Sequence, residues 1–167
     1  MKKWNYSDAG WYFVTICTKN KEESFGKVQK EKVVLNVYGE KIKNIWENIP
    51  QHFENVVLDE FIVMPNHVHG IVIIESEKKD KIYTVGNNDR CSLQRNMELL
   101  PKVISQCKSS FTREIRKKYG DFSFAWQKSF YDHIIRNERS LLKIREYIHY
   151  NALKWEKDKE NPKNLVF

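Results

Sequence analysis

Two histidines two residues apart, in Met64-Pro65-Asn66-His67-Val68-His69-Gly70, are the one histidine pair of this 167-residue chain with the spacing of ligands on a strand. Alternate side chains on a strand leave the same face, so the two imidazoles can converge on one cation while Val68 packs into the core behind them. Gly70 is expected to leave room beside the pair for a ligand or a backbone to come close. The plain competing reading is two surface histidines on a half-buried strand. A second grouping lies near the C-terminus, in Glu146-Tyr147-Ile148-His149-Tyr150-Asn151. Tyr147 and Asn151 are four apart and share a helix face, which would let a phenol attack while a carboxamide completes a metal shell. Tyrosines at helical spacing are more often packing residues, so this grouping says little alone. Tyr150 lacks the four-residue relation to Asn151 and is the weaker nucleophile candidate; His52, His133 and His149 are read as structural or solvated.

The elements that must position these groups follow from pattern. Gly10–Thr18 is rich in aromatic and β-branched residues and reads as a strand. Ile42, Ile45, Trp46 and Ile49 recur at helical spacing, predicting an amphipathic helix over about Val37–Ile49 that Pro50 ends. Strands are expected over Asn55–Val63 and His67–Glu75, so close together that they form an antiparallel hairpin. Ser76–Asn96 is polar and reads as a surface loop. A helix over Pro101–Lys118 buries Ile104, Cys107, Phe111 and Ile115, with Pro101 at its start. A strand over Lys128–Arg136 and a final helix from Glu138 to about Leu153, capped by Asn137 and burying Leu141, Ile144 and Ile148, complete the chain. The order β-α-β-β-α-β plus a helix predicts an α+β fold, a ferredoxin-like antiparallel sheet with helices on one face and a C-terminal helix carrying the tyrosine. One domain over 1–167 is expected, with a surface loop at about 76–100.

Composition narrows the function classes. Hydrophobic residues at 41% and charged residues at 31% exclude a disordered chain. Lys and Arg number 29 against 22 Asp and Glu, a net charge of +7 that favours a polyanionic partner, nucleic acid first. Cys17, Cys91 and Cys107 form no CxxC pair, arguing against a disulfide framework or a zinc finger. No apolar run is long enough to span a membrane, and MKKWNYSDAG lacks the apolar core of a signal peptide. A protein of a bacterial-type cytosol, associated with the nucleoid and not with a membrane, is expected.

MPNHVHG and YIHYN resemble the HUH motif and the catalytic-tyrosine helix of the single-tyrosine HUH transposases. GWYFVTICTKN, KSSFTREIRKKYG and WQKSFYDHIIRN extend the resemblance over nearly the whole chain, to the REP-associated tyrosine transposase (RAYT) branch. The resemblance implies a DNA-strand transferase that nicks and rejoins single-stranded DNA, often at hairpin-forming repeats. It implies that His67 and His69 bind a divalent metal, that Asn151 is its third ligand, and that Tyr147 is the nucleophile, leaving a 5′-phosphotyrosine and a free 3′-OH. Imidazoles with hard oxygen ligands suit Mg²⁺ or Mn²⁺, zinc staying open on ligand type alone. One departure is visible: RAYT-like proteins commonly follow this Asn with Pro, and Ala152 stands here, which would let the helix run further. Lys102, Lys108, Arg113, Arg116 and Lys117 are candidates for phosphate contacts, against the reading of a solvated face, and Trp126 offers a stacking face for unpaired bases. A monomer is expected, with a homodimer as the alternative. A domesticated, non-catalytic single-stranded DNA or RNA binding module on the same fold, or a metal-dependent hydrolase in which water attacks, are the competing functions.

Overall fold

The computed structural model describes residues 9–76 and 99–155, so all but the first residue of the loop expected over Ser76–Asn96 lies outside the described residues. The aromatic and β-branched run makes β1 (Gly10–Cys17), followed by a 3₁₀ turn at Lys19–Lys21. A hairpin that the sequence reading did not expect comes next, β2 (Gly26–Gln29) and β3 (Lys32–Leu35). Its turn is Lys30-Glu31, both at positive φ (48° and 62°), without the Asn or Gly that usually announces such a turn. Helix α1 (Val37–Glu47) is capped by Asn36, whose side chain accepts from the backbone N–H groups of Tyr38 and Gly39.

Pro50 does not itself end that helix. A break at Asn48 precedes a short α2 (Ile49–His52), in whose first turn Pro50 lies, where its missing N–H costs no helical bond. Strands β4 (Val56–Val63) and β5 (His67–Ile74) form the expected hairpin, with a register shift between Leu58 and Phe61. Helix α3 (Leu99–Tyr119) begins before Pro101 and buries the expected stripe together with Leu100 and Val103. A short β6 (Tyr131–Ile135) then leads through the Asn137 cap, whose side chain accepts from Ser140 N–H at 2.8 Å, into α4 (Glu138–His149). The helix pauses at Tyr150 and resumes as α5 (Asn151–Lys154), so it does not stop at Ala152.

The main sheet runs β4-β5-β1-β6, with every neighbouring pair antiparallel, as a ferredoxin-like order requires. Its two faces carry different helices. Tyr12, Val14, Ile16, Val68 and Val72 join Ile42, Trp46, Ile104, Cys107 and Phe111 in the larger core under α1 and α3. The opposite face is covered by the C-terminal helix α4: Leu141 and Ile148 pack with Ile71 and Ile135, and Phe13 and Tyr147 lean against them. Each of those buried aliphatic side chains contributes about 1.5–3 kcal/mol. Arg145 adds an ion pair to Asp59, its Nε lying 3.0 and 3.2 Å from the two carboxylate oxygens.

Gly70 departs from its expected role. A Cβ there would lie 2.4 Å from Trp46 Cζ2, on the α1 face, so the missing side chain makes room for the tryptophan and not for a ligand. Gly39 in α1 similarly admits the Phe25 carbonyl, which a Cβ would approach to 2.1 Å, and so brings the β2–β3 hairpin against the helix. Among the described residues no helix is long and apolar enough to cross a membrane.

Candidate active site

Alternation along β5 sends His67 and His69 to the α4 face, with Val68 buried on the other side, as the spacing predicts. Their rings lie 4.3 Å apart between centroids, and both are buried, at 0% and 4% exposure. Across from them, the Tyr147 hydroxyl approaches His69 Nε2 at 3.3 Å. Phe13 stands beside both groups, 5.3 Å from the His69 ring and edge-on to Tyr147 at 6.0 Å. Trp155, eight residues after Tyr147, reaches the His67 ring at 5.9 Å. Tyr147, Asn151 and Trp155 are spaced by four on a nearly continuous helix, so Asn151 lies between a residue touching His69 and one touching His67.

The hydrogen bonds around the histidines hold each ring through its Nδ1. The turn Met64-Pro65-Asn66 is gripped by the chain after β1: Thr18 N–H donates to Asn66 O and Phe25 N–H to Pro65 O. Asn66 Nδ2 donates to Lys21 O at 3.0 Å, which orients its carboxamide oxygen toward His67 Nδ1, 2.8 Å away. A neutral imidazole has one N–H, so His67 Nδ1 donates to Asn66 and Nε2 keeps its lone pair. Burial, and then the positive fields of His69 and Lys21, push the His67 pKa well below the usual imidazole value, keeping it neutral. His67 Nε2 is buried and has no hydrogen-bond partner. His69 is held through Nδ1, 2.8 Å from Thr15 Oγ1 on the neighbouring strand, where the register pairs the two residues.

Asn151 is fully buried, and neither its Oδ1 nor its Nδ2 has a partner. An unsatisfied buried carboxamide costs about 1–3 kcal/mol, and the His67 Nε2 is likewise buried without a partner. Two imidazoles and a carboxamide oxygen are donors of the kind that suit a divalent cation keeping open positions for phosphate oxygens. Among the described residues no group of three or more His, Cys, Asp and Glu side chains is placed to hold a metal ion.

The basic candidates divide. Lys108, Arg113, Arg116 and Trp126 line one groove of ≈430 Å³ along α3, whereas Lys102 and Lys117 are exposed outside it. Lys108 is largely committed to the fold, donating to Gln127 O at 2.7 Å and Ser129 O at 2.9 Å, and burial lowers its pKa. Trp126 packs among Phe25, Phe111 and Phe124, its Nε1 donating to Lys108 O. Gln127 N–H bonds Cys17 O, which brings this groove to the end of β1 where Cys17 pairs with His67. Thr15 and Asn66 hold the two candidate histidines, contacts that the sequence reading missed. Asn66 lies inside the MPNHVHG motif and was within reach, while Thr15 is found only through strand register.

No family model matches the chain. It is 40% identical over 168 residues to an uncharacterized Haemophilus influenzae protein, covering 95% of this chain and 88% of that one. A second Haemophilus influenzae protein, a candidate REP-associated tyrosine transposase, is 23% identical over 161 residues, covering 90% of this chain and 74% of that one. Among solved structures, a REP-associated tyrosine transposase bound to a REP hairpin shares the fold, with a TM-score of 0.58 and 18% identity over 92% of this chain and 72% of that one.

Proposed function

The chain belongs to the single-tyrosine HUH transposase family, in its REP-associated branch, and from that premise we propose that it nicks and rejoins single-stranded DNA at hairpin-forming repeats through Tyr147. The observation that carries the reading is the approach of the Tyr147 hydroxyl to His69 Nε2, together with two buried groups, His67 Nε2 and Asn151, that lack hydrogen-bond partners. His67, His69 and Asn151 would hold Mg²⁺ or Mn²⁺. When bound, the ion neutralises charge developing on the scissile phosphate.

The chain's own residues do the rest. Asn66 and Thr15 hold the two imidazoles through Nδ1, and the His69 Nε2 faces the Tyr147 hydroxyl. Phe13 and the packed end of α4 fix the phenol. The Tyr147 oxygen forms a bond to phosphorus as the P–O3′ bond breaks, giving a 5′-phosphotyrosine and a free 3′-OH. One phosphodiester replaces another, so a 3′-OH can reverse the step and join strands without a nucleotide cofactor. Tyrosine and histidine meet within one chain, which supports action as a monomer; light scattering on the purified protein tests this.

The direct test incubates the protein with labelled single-stranded DNA carrying repeat hairpins and Mg²⁺ or Mn²⁺, then resolves it on a denaturing protein gel. A metal-dependent label on the wild-type band, absent from Tyr147→Phe and His67→Ala, is expected. Free cut product surviving in Tyr147→Phe would mean hydrolysis by water. Binding without any cleavage, over a set of hairpins, would mean a domesticated binding module.

A further inference from the structure

We propose that the cleft between the β2–β3 hairpin and the α4–α5 junction seats an unpaired nucleotide of the DNA strand next to the scissile phosphate, an inference that rests on the function proposed above. The cleft measures ≈540 Å³ and is walled by the hairpin turn and β3, by Phe61, Ile62 and Val63 of β4, and by the helix junction at Tyr150. Three observations name its occupant. First, it pairs flat apolar surface with positive charge: Phe61 and Tyr150 with Lys30, Lys32 and Lys43, against the single carboxylate of Glu31. A base needs the one and its phosphate the other, and aromatic faces accept any base. Among the described residues none of these three lysines has an ion-pair partner, so their charge is not spent within the fold.

Second, the cleft adjoins the chemistry. Ile62 pairs with His69 across the β4–β5 ladder, and Tyr150 immediately precedes Asn151. Tyr150 is 41% exposed and edge-on to His149, so its ring is available to stack, whereas Tyr147 one turn earlier contacts His69. A strand whose phosphate meets Tyr147 and the histidines has this cleft next to it on the β4 side. Third, the hairpin forms its own two-stranded sheet outside the four-stranded one, and its turn holds two non-glycine residues at positive φ. Such conformations persist where the surroundings over-determine them, and here the turn carries Lys30 and Glu31 to the cleft mouth.

The test uses the full chain and a single-stranded hairpin oligonucleotide bearing an unpaired tail with 5-iodouracil at successive positions. Irradiation of the bound complex crosslinks the modified base to an aromatic ring in contact with it, and mass spectrometry locates the crosslink. A tail base crosslinked to the peptide containing Tyr150 is expected. Tyr150→Ala should weaken binding of the tailed hairpin roughly tenfold, the loss of about one base–aromatic stack. Tyr150→Phe should restore it, and the hairpin without a tail should bind both variants equally. Lys30→Ala and Lys32→Ala should each lower the salt slope of tail binding by about 0.7. Crosslinks confined to the α3 groove, an absence of crosslinks from a tail that binds, or an unchanged tail affinity in Tyr150→Ala would each overturn the assignment. Labelling of wild-type protein through Tyr147 reports separately on the underlying reaction. If it persists while the cleft fails every arm, only the cleft is wrong; if it and DNA binding are both absent, the function falls and the cleft with it.

Discussion

Gly70→Ala isolates what that glycine does between the two candidate ligands and the core. A methyl group at this position would lie 2.4 Å from Trp46 Cζ2, 2.9 Å from Cε2 and 3.2 Å from Phe61 Cβ. Carbon atoms prefer about 3.5–4.0 Å, so the two ring contacts fall more than half an ångström short. Trp46 cannot retreat easily, being fully buried and stacked on Phe61 with centroids 6.3 Å apart. Overpacking of this kind costs about 1–3 kcal/mol. With a urea m-value of about 2 kcal/mol/M, the unfolding midpoint should drop by about 0.5–1.5 M. Trp46→Phe removes the colliding atoms together with an indole N–H that has no partner. The double variant should therefore be more stable than the sum of the two single effects, with a coupling of about 1–2 kcal/mol. Urea unfolding followed by far-UV circular dichroism on the four proteins measures the cycle. An unchanged midpoint in Gly70→Ala, or the same loss with and without Trp46, would refute the packing argument. Loss of DNA or metal binding at an unchanged midpoint would return Gly70 to a ligand-access role.

Asn66→Leu removes the acceptor that holds His67 Nδ1, and Thr15→Val removes the partner of His69 Nδ1; each should weaken Mn²⁺ binding about 10- to 100-fold, read by electron paramagnetic resonance titration, with the fold retained. Lys108→Met should lower stability by about 1–3 kcal/mol, because two backbone carbonyls lose their donor, and leave the salt slope of DNA binding unchanged. Arg113→Ala and Arg116→Ala should each reduce that slope by about 0.7, so salt titrations of the three variants separate fold from phosphate contact. Asp121 supplies a pH test. Hydrogen bonds from the Ser123 hydroxyl, from Tyr38 Oη and from backbone N–H groups lower its pKa to about 2. An unfolded aspartate titrates near about 3.9, so this stabilisation is present above about pH 4 and is lost as pH falls toward 2. Asp121→Asn should flatten the wild-type decline in urea midpoint between those values.

Local pattern carried much of the fold. The stripes in α1, α3 and α4 were legible because a period near 3.6 is set by one burial face, and Asn137 announced its helix by its cap chemistry. The β2–β3 hairpin escaped notice because Lys30-Glu31 has no turn signature; its left-handed residues are tolerated only because the surroundings hold them. Trp126 and Lys108 read as DNA-facing on sequence, yet the fold draws much of both into its own packing and hydrogen bonding.

The sequence by itself determined the chemistry on offer. His67 and His69 must share a face because a strand alternates, and Tyr147 must lie one turn from Asn151 because a helix repeats. What it could not decide was which face of the sheet each long-range partner would cover, since period-2 and period-3.6 patterns fix directions within an element and never between elements. Tertiary packing placed α4 over the histidine face, brought the Tyr147 hydroxyl to His69, turned Gly70 toward Trp46, and set Thr15 beside His69 through strand register. It also left His67 Nε2 and Asn151 buried without partners, a condition that exists only once the surrounding chain has excluded water from them.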